Sequence, residues 1–343
     1  MSLLSVQPFL DSTISANSVS LGAIVIGRNE GERLRRCLAS LHELAVLAVY
    51  VDSGSTDGSV ALAHSLGVEV VELNMQTAFT AARARNAGFA RLRQLAPAVA
   101  FVQFIDGDCE IVDGWLAVAM TFLLQHPEVA CVCGQLRERF PEKSVYNRLC
   151  DFEWDSEAGE TDACGGIAMM RTSVLLAVGG FRDDMVAGEE PELCRRIRDS
   201  GEKIWRLDHP MALHDAAMLR FSQWWKRSKR TGFSYAHRVS IGRDIETGLM
   251  RSLVRAWVWA GALPLMVTIS WILWGDAALL LLLAYPLQVL RMSARGERPL
   301  RDRLARALFV VLGKFPEMLG QLQFWGESHT SQGCALVRLQ GLS

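Results

Sequence analysis

Two aspartates separated by one glycine follow an apolar run at residues 99–105. Asp106 and Asp108 could do chemistry there, because paired carboxylates at the end of a strand can hold a hard divalent cation. Such a cation binds a diphosphate and neutralises charge on a departing nucleotide. Gly107 permits a ligand to approach closely. A solvated acidic turn gives the same pattern, but the position directly after an apolar strand favours a binding site.

A second acidic segment, residues 52–59, also follows an apolar run. Its small residues permit a tight turn that brings backbone N–H groups near a ligand. The carboxylate of Asp52 can hydrogen-bond a ribose hydroxyl or a base N–H. The same segment is compatible with the cofactor loop of a methyltransferase, or with an Asp-Gly turn that has no function.

The third acidic segment contains Glu189, Glu190 and Glu192 around Pro191. Proline in the first turn and acidic residues beside it are typical of a helix start. A carboxylate in this position could deprotonate an acceptor hydroxyl. A helix N-terminus without any catalytic role would have the same composition.

An alternation of strands and helices must position these segments. Apolar runs predict strands at residues 22–27, 46–51, 68–73 and 99–105, and the stretches between them have helical spacing. This pattern predicts an α/β fold with a mostly parallel sheet that helices cover on both faces. Ligands bind such sheets at the carboxyl ends of the strands, where Asp52 and Asp106 stand.

The composition excludes several classes of protein. The chain has 343 residues, a formal net charge of −1 and 50% hydrophobic residues. Such a chain is expected to fold, and its near-neutral charge gives no support for nucleic acid as a partner. The first 250 or so residues contain no apolar run of the ~20 residues that a membrane span needs, which argues against a polytopic transporter.

The eight cysteines are scattered through apolar or helical stretches and form no CxxC pair. A secretory signal is not visible at the N terminus. We therefore expect buried, free thiols in a reducing cytoplasm rather than disulfides or a zinc site.

The composition changes near residue 220, where Lys and Arg become frequent. Residues 256–290 are almost wholly apolar, and arginines return from Arg291. We predict a helical hairpin with arms at residues 257–274 and 277–290, joined at Gly275 and Asp276. Basic flanks favour a membrane hairpin with both ends in the cytoplasm over a buried helix pair, although the second arm is short for a span of ~30 Å.

Taken together, these segments resemble the family 2 glycosyltransferases over roughly residues 20–215. The matching segments are residues 26–30 (IGRNE), 52–59, 84–86 (ARN), 106–108, 164–171 (CGGIAMMR), 178–181 (VGGF) and 188–193. Each is weak alone, but the joint set is specific. The resemblance implies the A-type glycosyltransferase fold. It also implies inverting transfer of a sugar from a nucleotide diphosphate.

The resemblance also implies residue roles. Donor-binding residues would be Arg28, Glu30, Asp52, Arg85, Asp106, Gly165 and Gly166. Among them, Asp52 would contact the nucleoside, Arg85 the base or diphosphate, and Asp106 the ribose. The two glycines would leave room for the donor sugar.

By the same resemblance, Asp108 would bind Mg²⁺ or Mn²⁺, and His214 is a further candidate ligand. Glu190 would be the catalytic base, with Glu189 as the alternative. The chain departs from the family pattern at Ser53, where a second acid is frequent, and at Glu190, where aspartate is usual. Glutamate can perform the same proton transfer.

The sequence therefore predicts five segments: a polar leader (1–20), a catalytic domain (21–220), a basic amphipathic linker helix (221–255), a membrane hairpin (256–292) and a basic, amphipathic C-terminal segment (293–343). The predicted function is inverting, metal-dependent glycosyl transfer at the cytoplasmic face of the inner (plasma) membrane. Its acceptor would be a lipid-linked or cell-envelope glycan precursor. Residues 226–230 would meet anionic head groups or a lipid-diphosphate acceptor.

Two alternatives remain open. An S-adenosylmethionine-dependent methyltransferase would explain residues 52–59 but neither Asp106 and Asp108 nor the Glu189-Glu190 pair. A non-catalytic membrane scaffold would need a decayed site, against which the intact acidic residues argue.

Overall fold

The structure, a computed structural model, describes residues 20–41, 46–77, 79–241 and 247–328. The predicted polar leader, apart from Ser20, lies outside the described residues. So do Cys334 and the end of the predicted C-terminal segment.

Nine strands form one sheet in the order β3-β2-β1-β4-β8-β6-β9-β5, and β7 pairs with β9. The strands are β1 (Ser20–Gly27), β2 (Leu47–Asp52), β3 (Glu69–Glu72), β4 (Val99–Asp106), β5 (Cys109–Ile111), β6 (Val129–Glu138), β7 (Gly159–Glu160), β8 (Ala168–Arg171) and β9 (Lys203–His214). The four predicted strands are therefore present as β1 to β4, with small shifts of their ends.

The sheet is wholly parallel in its first half and mixed in its second half. Strands β3, β2, β1 and β4 run parallel, whereas β8 is antiparallel to both β4 and β6. Strand β6 is parallel to β9, and β5 and β7 are antiparallel to it. The predicted mostly parallel sheet is thus a mixed sheet. Its antiparallel members β5, β7 and β8 have two to four residues, too few for an apolar pattern to indicate a strand.

Helices cover the sheet and continue into the C-terminal part. The helices are α1 (Glu32–Ser40), α2 (Ser59–Ser65), α3 (Ala81–Leu95), α4 (Trp115–Gln125), α5 (Val145–Trp154), α6 (Thr172–Ala177), α7 (Glu189–Asp199), α8 (Phe221–Ile241), α9 (Thr247–Ala256), α10 (Leu263–Trp274), α11 (Ala284–Ser293), α12 (Leu300–Leu312) and α13 (Lys314–Ser328). A π-helix at Trp257–Ala262 joins α9 to α10, and a 3-10 helix at Gly275–Leu283 joins α10 to α11.

Helix α3 packs very closely on the central strand β1. A Cβ atom at Gly22 would lie 2.5 Å from Leu92 of α3, and one at Gly88 would lie 2.5 Å from Ile24 of β1. Glycine on each element therefore lets the helix and the strand approach each other. Ile24 and Leu92 are fully buried, so this contact anchors α3 in the core.

The apolar C-terminal stretch folds back on itself at Gly275, whose φ of 68° and ψ of −156° interrupt the helix. The hydroxyl of Tyr285 donates to the carbonyl of Trp259 at 2.7 Å. An unbroken helix would separate these two residues by ~39 Å. The arms differ from prediction in detail: the first begins upstream in α9, and the second is a 3-10 helix as far as Leu283.

The predicted linker helix at residues 221–255 is two helices, α8 and α9. Helix α8 packs against α13 through backbone contact. A Cβ atom at Gly232 would collide with the carbonyl oxygen of Glu317, and a Cβ atom at Gly320 would collide with the carbonyl oxygen of Lys229. The apolar face of the predicted amphipathic C-terminal segment is therefore used in part for packing on α8.

We predict that Gly232→Ala destabilises the protein by about 1–3 kcal/mol, because the added methyl group must push α13 away from α8. Gly326→Ala in α13 is the matched control, since a Cβ atom there meets nothing within 4 Å. Alanine at that position should stabilise the helix by a few tenths to about 1 kcal/mol. Thermal unfolding of the full chain in detergent measures both. Equal stabilisation by the two variants would contradict the close packing of α8 on α13.

Candidate active site

The loops that follow β1, β2 and β4 lie side by side at one edge of the sheet. Gly27 pairs with Asp52 in the register of β1 and β2, and Ile26 pairs with Asp106 in that of β1 and β4. The predicted donor-binding segments are therefore neighbours, as expected for carboxyl ends of parallel strands.

Asp52 is 2% exposed and hydrogen-bonded within its own loop. Its Oδ1 accepts from the hydroxyl of Tyr50 at 2.8 Å. Its Oδ2 accepts from the backbone N–H groups of Gly54 and Ser55 at 2.9 and 2.8 Å. Because both oxygens already have donors, the carboxylate holds the turn in shape.

The loop after β1 is joined to this turn by Asn29, whose side-chain oxygen accepts from the backbone N–H of Thr56 at 2.7 Å. Arg28 is exposed in the same loop. Glu30 is partly buried, and its carboxylate lies 2.7 Å from the guanidinium of Arg33. Burial and the nearby negative charge of Asp108 raise the pKa of Glu30 to about 7. Glu30 lies beside the Asp106–Asp108 turn, since a Cβ atom at Gly107 would lie 3.1 Å from its Cγ.

Arg85 of α3 is 3% exposed and connects two acidic segments. Its Nη2 donates to Oδ1 of Asp106 at 2.9 Å, and its Nη1 donates to Oε1 of Glu189 at 2.6 Å. Burial disfavours its charged form, but the two carboxylates outweigh that effect and raise the pKa of Arg85. The ring of Phe181 lies 5.5 Å from the guanidinium. Arg85 therefore holds the end of β4 and the start of α7 together.

Strand pairing brings Asp108 to His214. Strand β5 starts directly after Asp108, and its first residue, Cys109, pairs with His214 at the end of β9. Nε2 of His214 lies 3.5 Å from Oδ1 of Asp108, and the Sγ of Cys109 belongs to the same cluster. Nδ1 of His214 is buried without a hydrogen-bond partner among the described residues.

The Asp108–His214 pair suits a divalent cation. A carboxylate oxygen matches Mg²⁺ or Mn²⁺, and an imidazole nitrogen can complete the shell of a transition metal. A metal ion shared with Asp108 would bind Nε2 of His214, because this is the ring nitrogen that faces the carboxylate. Cys109 was not predicted to lie here, because its approach depends on the pairing of β5 with β9.

The two candidate bases have different surroundings. Glu189 is held by Arg85. Oε1 of Glu190, which is 8% exposed, accepts from the backbone N–H of Cys164 at 2.6 Å and contacts the thiols of Cys164 and Cys194 at 3.1 and 3.0 Å. Among the described residues, Oε2 of Glu190 makes no hydrogen bond.

Gly165 and Gly166 follow Cys164, and Gly166 lies over the Arg85–Asp106 pair. A Cβ atom at Gly166 would lie 3.0 Å from Nη2 of Arg85 and 3.1 Å from Oδ2 of Asp106. Gly165 has a φ of 82°, which favours glycine. The absence of side chains thus keeps this surface open.

A cleft of about 410 Å³ lies at this edge of the sheet. Four predicted site residues line it: Asp106, Asp108, Gly166 and His214. Arg28, Glu30, Asp52, Arg85, Gly165, Glu189 and Glu190 do not line this cleft.

The cleft also contains residues outside the predicted donor and metal sites, among them Trp154 of α5, Met218, and Arg227 and Arg230 of α8. The two arginines belong to the basic run at residues 226–230, which was predicted to meet head groups or a lipid-diphosphate acceptor. The rings of Trp154 and His214 are 4.5 Å apart. The spacing of the two arginines, three residues on a helix, was a usable signal that they share one face.

The cysteines of the described chain are all free and buried, as predicted. Burial raises the pKa of Cys131 and of Cys133 to about 12. These two side chains therefore remain neutral thiols in the core.

Comparison with known proteins identifies this arrangement. The sequence model of the family described as "Glycosyl transferase family 2" matches residues 23–178. Residues 23–178 therefore match this family, which confirms the resemblance described above.

Similar proteins agree with this assignment. Over 202 residues the chain is 26% identical to the pre-mycofactocin glycosyltransferase of Mycobacterium tuberculosis, which covers 55% of this chain and 41% of that protein. The chain thus spans about two fifths of the length of this relative. A mannosyltransferase from Pyrobaculum calidifontis, solved in complex with GDP-Man and Mn²⁺, matches with a TM-score of 0.55 and 16% identity over 90% of this chain and 87% of that chain. The predicted fold is thereby confirmed.

We predict that Arg85→Met lowers the free energy of unfolding by up to about 3 kcal/mol, because it leaves Asp106 and Glu189 without their shared cation in a mostly buried site. Arg91→Met, on the same helix, removes an ion pair with Glu69 whose side chains are 38% and 34% exposed. It should cost less than about 1 kcal/mol. Denaturant unfolding measures both, and equal losses would show that the buried triad adds nothing to stability.

Proposed function

We propose that the protein transfers a sugar from a nucleotide diphosphate to a hydroxyl group, with inversion at the anomeric carbon. The observation that carries this proposal is the cleft in which Asp106, Asp108 and His214 meet at the carboxyl edge of a family 2 glycosyltransferase domain. The fold alone hosts many functions, so the proposal rests on the side chains of this site.

The donor would lie along the loops after β1, β2 and β4. Arg28, Glu30 and the turn held by Asp52 would surround the nucleoside. Asp106 would contact the ribose through Oδ2, since its Oδ1 accepts from Arg85. The bare backbone at Gly165 and Gly166 would leave room for the donor sugar.

Asp108 and His214 would hold the metal. When bound, Mg²⁺ or Mn²⁺ neutralises negative charge on the diphosphate. The solved relative from Pyrobaculum calidifontis contains Mn²⁺, which supports a divalent ion of this kind. Asp108 offers a carboxylate oxygen, the type of ligand that such ions prefer, just after the end of strand β4.

An inverting transfer needs one base and no nucleophilic side chain. We assign the base to Glu190 rather than Glu189, because Arg85 occupies Oε1 of Glu189 at 2.6 Å. Oε1 of Glu190 is anchored by the N–H of Cys164, which orients the carboxylate. Its Oε2 would take the proton of the acceptor hydroxyl. In the same step the acceptor's hydroxyl oxygen would bond to the anomeric carbon, and the bond from that carbon to the diphosphate would break.

The hairpin would attach this enzyme to a membrane. The stretch Gly248–Ser293 is long and apolar enough to cross a membrane, and Ile272 and Leu280 are 71% and 68% exposed. Residues 257–274 reach ~27 Å at the rise of a helix. In the second arm the 3-10 rise of ~2.0 Å per residue extends residues 275–290 to ~28 Å. Both arms then match a hydrocarbon core of ~30 Å.

Arginines at both ends of the hairpin favour a catalytic domain on the cytoplasmic face of the inner (plasma) membrane. An enzyme held there meets acceptors that are themselves in the membrane. We therefore propose a lipid-linked or cell-envelope glycan precursor as the acceptor. Methyl transfer finds no comparable support, because it leaves the Asp106–Asp108 turn without a role.

A screen of nucleotide sugars with Mg²⁺ or Mn²⁺ tests the activity. We expect metal-dependent turnover of at least one donor, which Asp108→Asn abolishes by weakening the metal. Glu190→Gln should lower turnover by about 10²–10⁴-fold with donor binding retained, because it removes only the base. Asp113→Asn, on an exposed turn, is the control and should behave as wild type. Turnover of no donor, with cellular function untouched by Asp108→Asn and Glu190→Gln, would favour a scaffold.

Membrane attachment has its own test. In carbonate extraction of cell membranes, the wild-type chain should stay in the membrane fraction. Ile272→Glu with Leu280→Glu should release it, because each charge costs about 3 kcal/mol inside a bilayer. Leu124→Glu in α4 exposes a charge on the catalytic domain instead, and should leave the chain in the membrane. Release of the wild type would contradict the attachment.

A further inference from the structure

Arg85 is not available to bind a diphosphate. The resemblance implied that it approaches the base or diphosphate, but its side chain is 3% exposed. Its two terminal nitrogens already donate to Asp106 and Glu189. A phosphate oxygen could replace either carboxylate only by breaking a buried, charge-assisted hydrogen bond. A side-chain cation that faces the phosphates beside the proposed metal ion therefore has to come from elsewhere in the cleft.

Helix α8 supplies two arginines to the cleft. Nη1 of Arg227 donates to Oε2 of Glu153 at 2.7 Å, so its charge is already paired. Arg230, one turn further on, is exposed to the cleft and makes no hydrogen bond or ion pair with any described residue. Desolvation and the positive charge of Arg227 lower the pKa of Arg230, and the negative charge of Glu189 offsets only part of this effect. An anion beside it would relieve that repulsion.

We propose that Arg230 binds a phosphate group in the cleft that it shares with Asp106 and Asp108. This inference rests on the proposed transfer from a nucleotide diphosphate. A guanidinium can donate two parallel hydrogen bonds to phosphate oxygens, which fixes the group as well as attracting it. Placed there, Arg230 stabilises the charge that develops on a departing diphosphate.

The position of Arg230 is rigid, as a binding residue requires. It stands two residues before Gly232, where the backbone of α8 touches that of α13. On the same helix, Arg227 ties α8 to Glu153 of α5. The guanidinium is therefore carried by a helix that is fixed on both sides.

The phosphate has two sources in the proposed reaction: the diphosphate of the donor, and a phosphate carried by a lipid-linked acceptor. Both offer the same oxyanion to a guanidinium. Binding measured with donor fragments separates them, because only the donor's diphosphate is present in a nucleoside diphosphate.

Titration of the 343-residue chain in detergent tests the inference with three probes: the nucleoside diphosphate of the best donor, the corresponding nucleoside, and inorganic pyrophosphate. For Arg230→Gln we expect at least tenfold weaker binding of the diphosphate and of pyrophosphate, with nucleoside binding unchanged. Arg230→Lys should restore part of the loss, since it keeps the charge but not the paired donors. Arg220→Gln, on an exposed residue outside the cleft, should bind all three probes as wild type does.

Unchanged diphosphate binding with a tenfold higher KM for a phosphate-bearing acceptor would assign the phosphate to the acceptor. Wild-type values for Arg230→Gln in both measurements would overturn the inference. If the wild type turns over no nucleotide sugar, the proposed function fails. The binding of pyrophosphate then still tests whether Arg230 binds a phosphate group. Binding lost in Arg230→Gln supports it, and a wild type that does not bind pyrophosphate overturns it.

Discussion

The ion triad that the buried Arg85 forms with Asp106 and Glu189 is the constraint on which the site depends. It joins the end of β4, the helix α3 and the first turn of α7, which are distant in sequence. Burying these charges is costly, so the triad is stable only because each nitrogen meets its carboxylate at 2.6 to 2.9 Å. The close packing of α3 on β1 sets that geometry. Glu190, the next residue after Glu189, is positioned as a consequence.

A second constraint brings the remaining groups to this triad. The short strand β5 turns back along β9, so that Asp108 reaches His214. Acidic groups therefore collect at one edge of the sheet, while α8 carries arginines into the same cleft. A net charge of −1 conceals this separation of charge. Complementary signs within one cleft are what a site for a metal and a phosphate group requires.

The sequence was sufficient for β1 to β4, because strands covered on both faces have nearly continuous apolar residues. It also located the acidic segments. Those that follow parallel strands were expected to lie close together, because the carboxyl ends of such strands meet at one edge of the sheet. It could not predict the partners of individual side chains. Arg85 and Glu189 are 104 positions apart, and the hydrogen bonds that occupy Arg85 depend on the packing of three elements. The 3-10 geometry of the second hairpin arm could not be predicted either, because its composition is the same as that of an apolar α-helix.

The C-terminal helices do more than extend the chain beyond the catalytic domain. Helix α8 forms part of the cleft, and α13 supports α8 through the contact at Gly232. Met318 of α13 in turn lies 3.2 Å from the Cβ position of Gly261, in the first arm of the hairpin. A continuous path of packed helices therefore runs from the apolar hairpin to Arg230. If the hairpin lies in a bilayer, this packing fixes the orientation of the cleft relative to that bilayer, which a flexible linker would not do. An acceptor held in the membrane therefore meets the site from a defined direction.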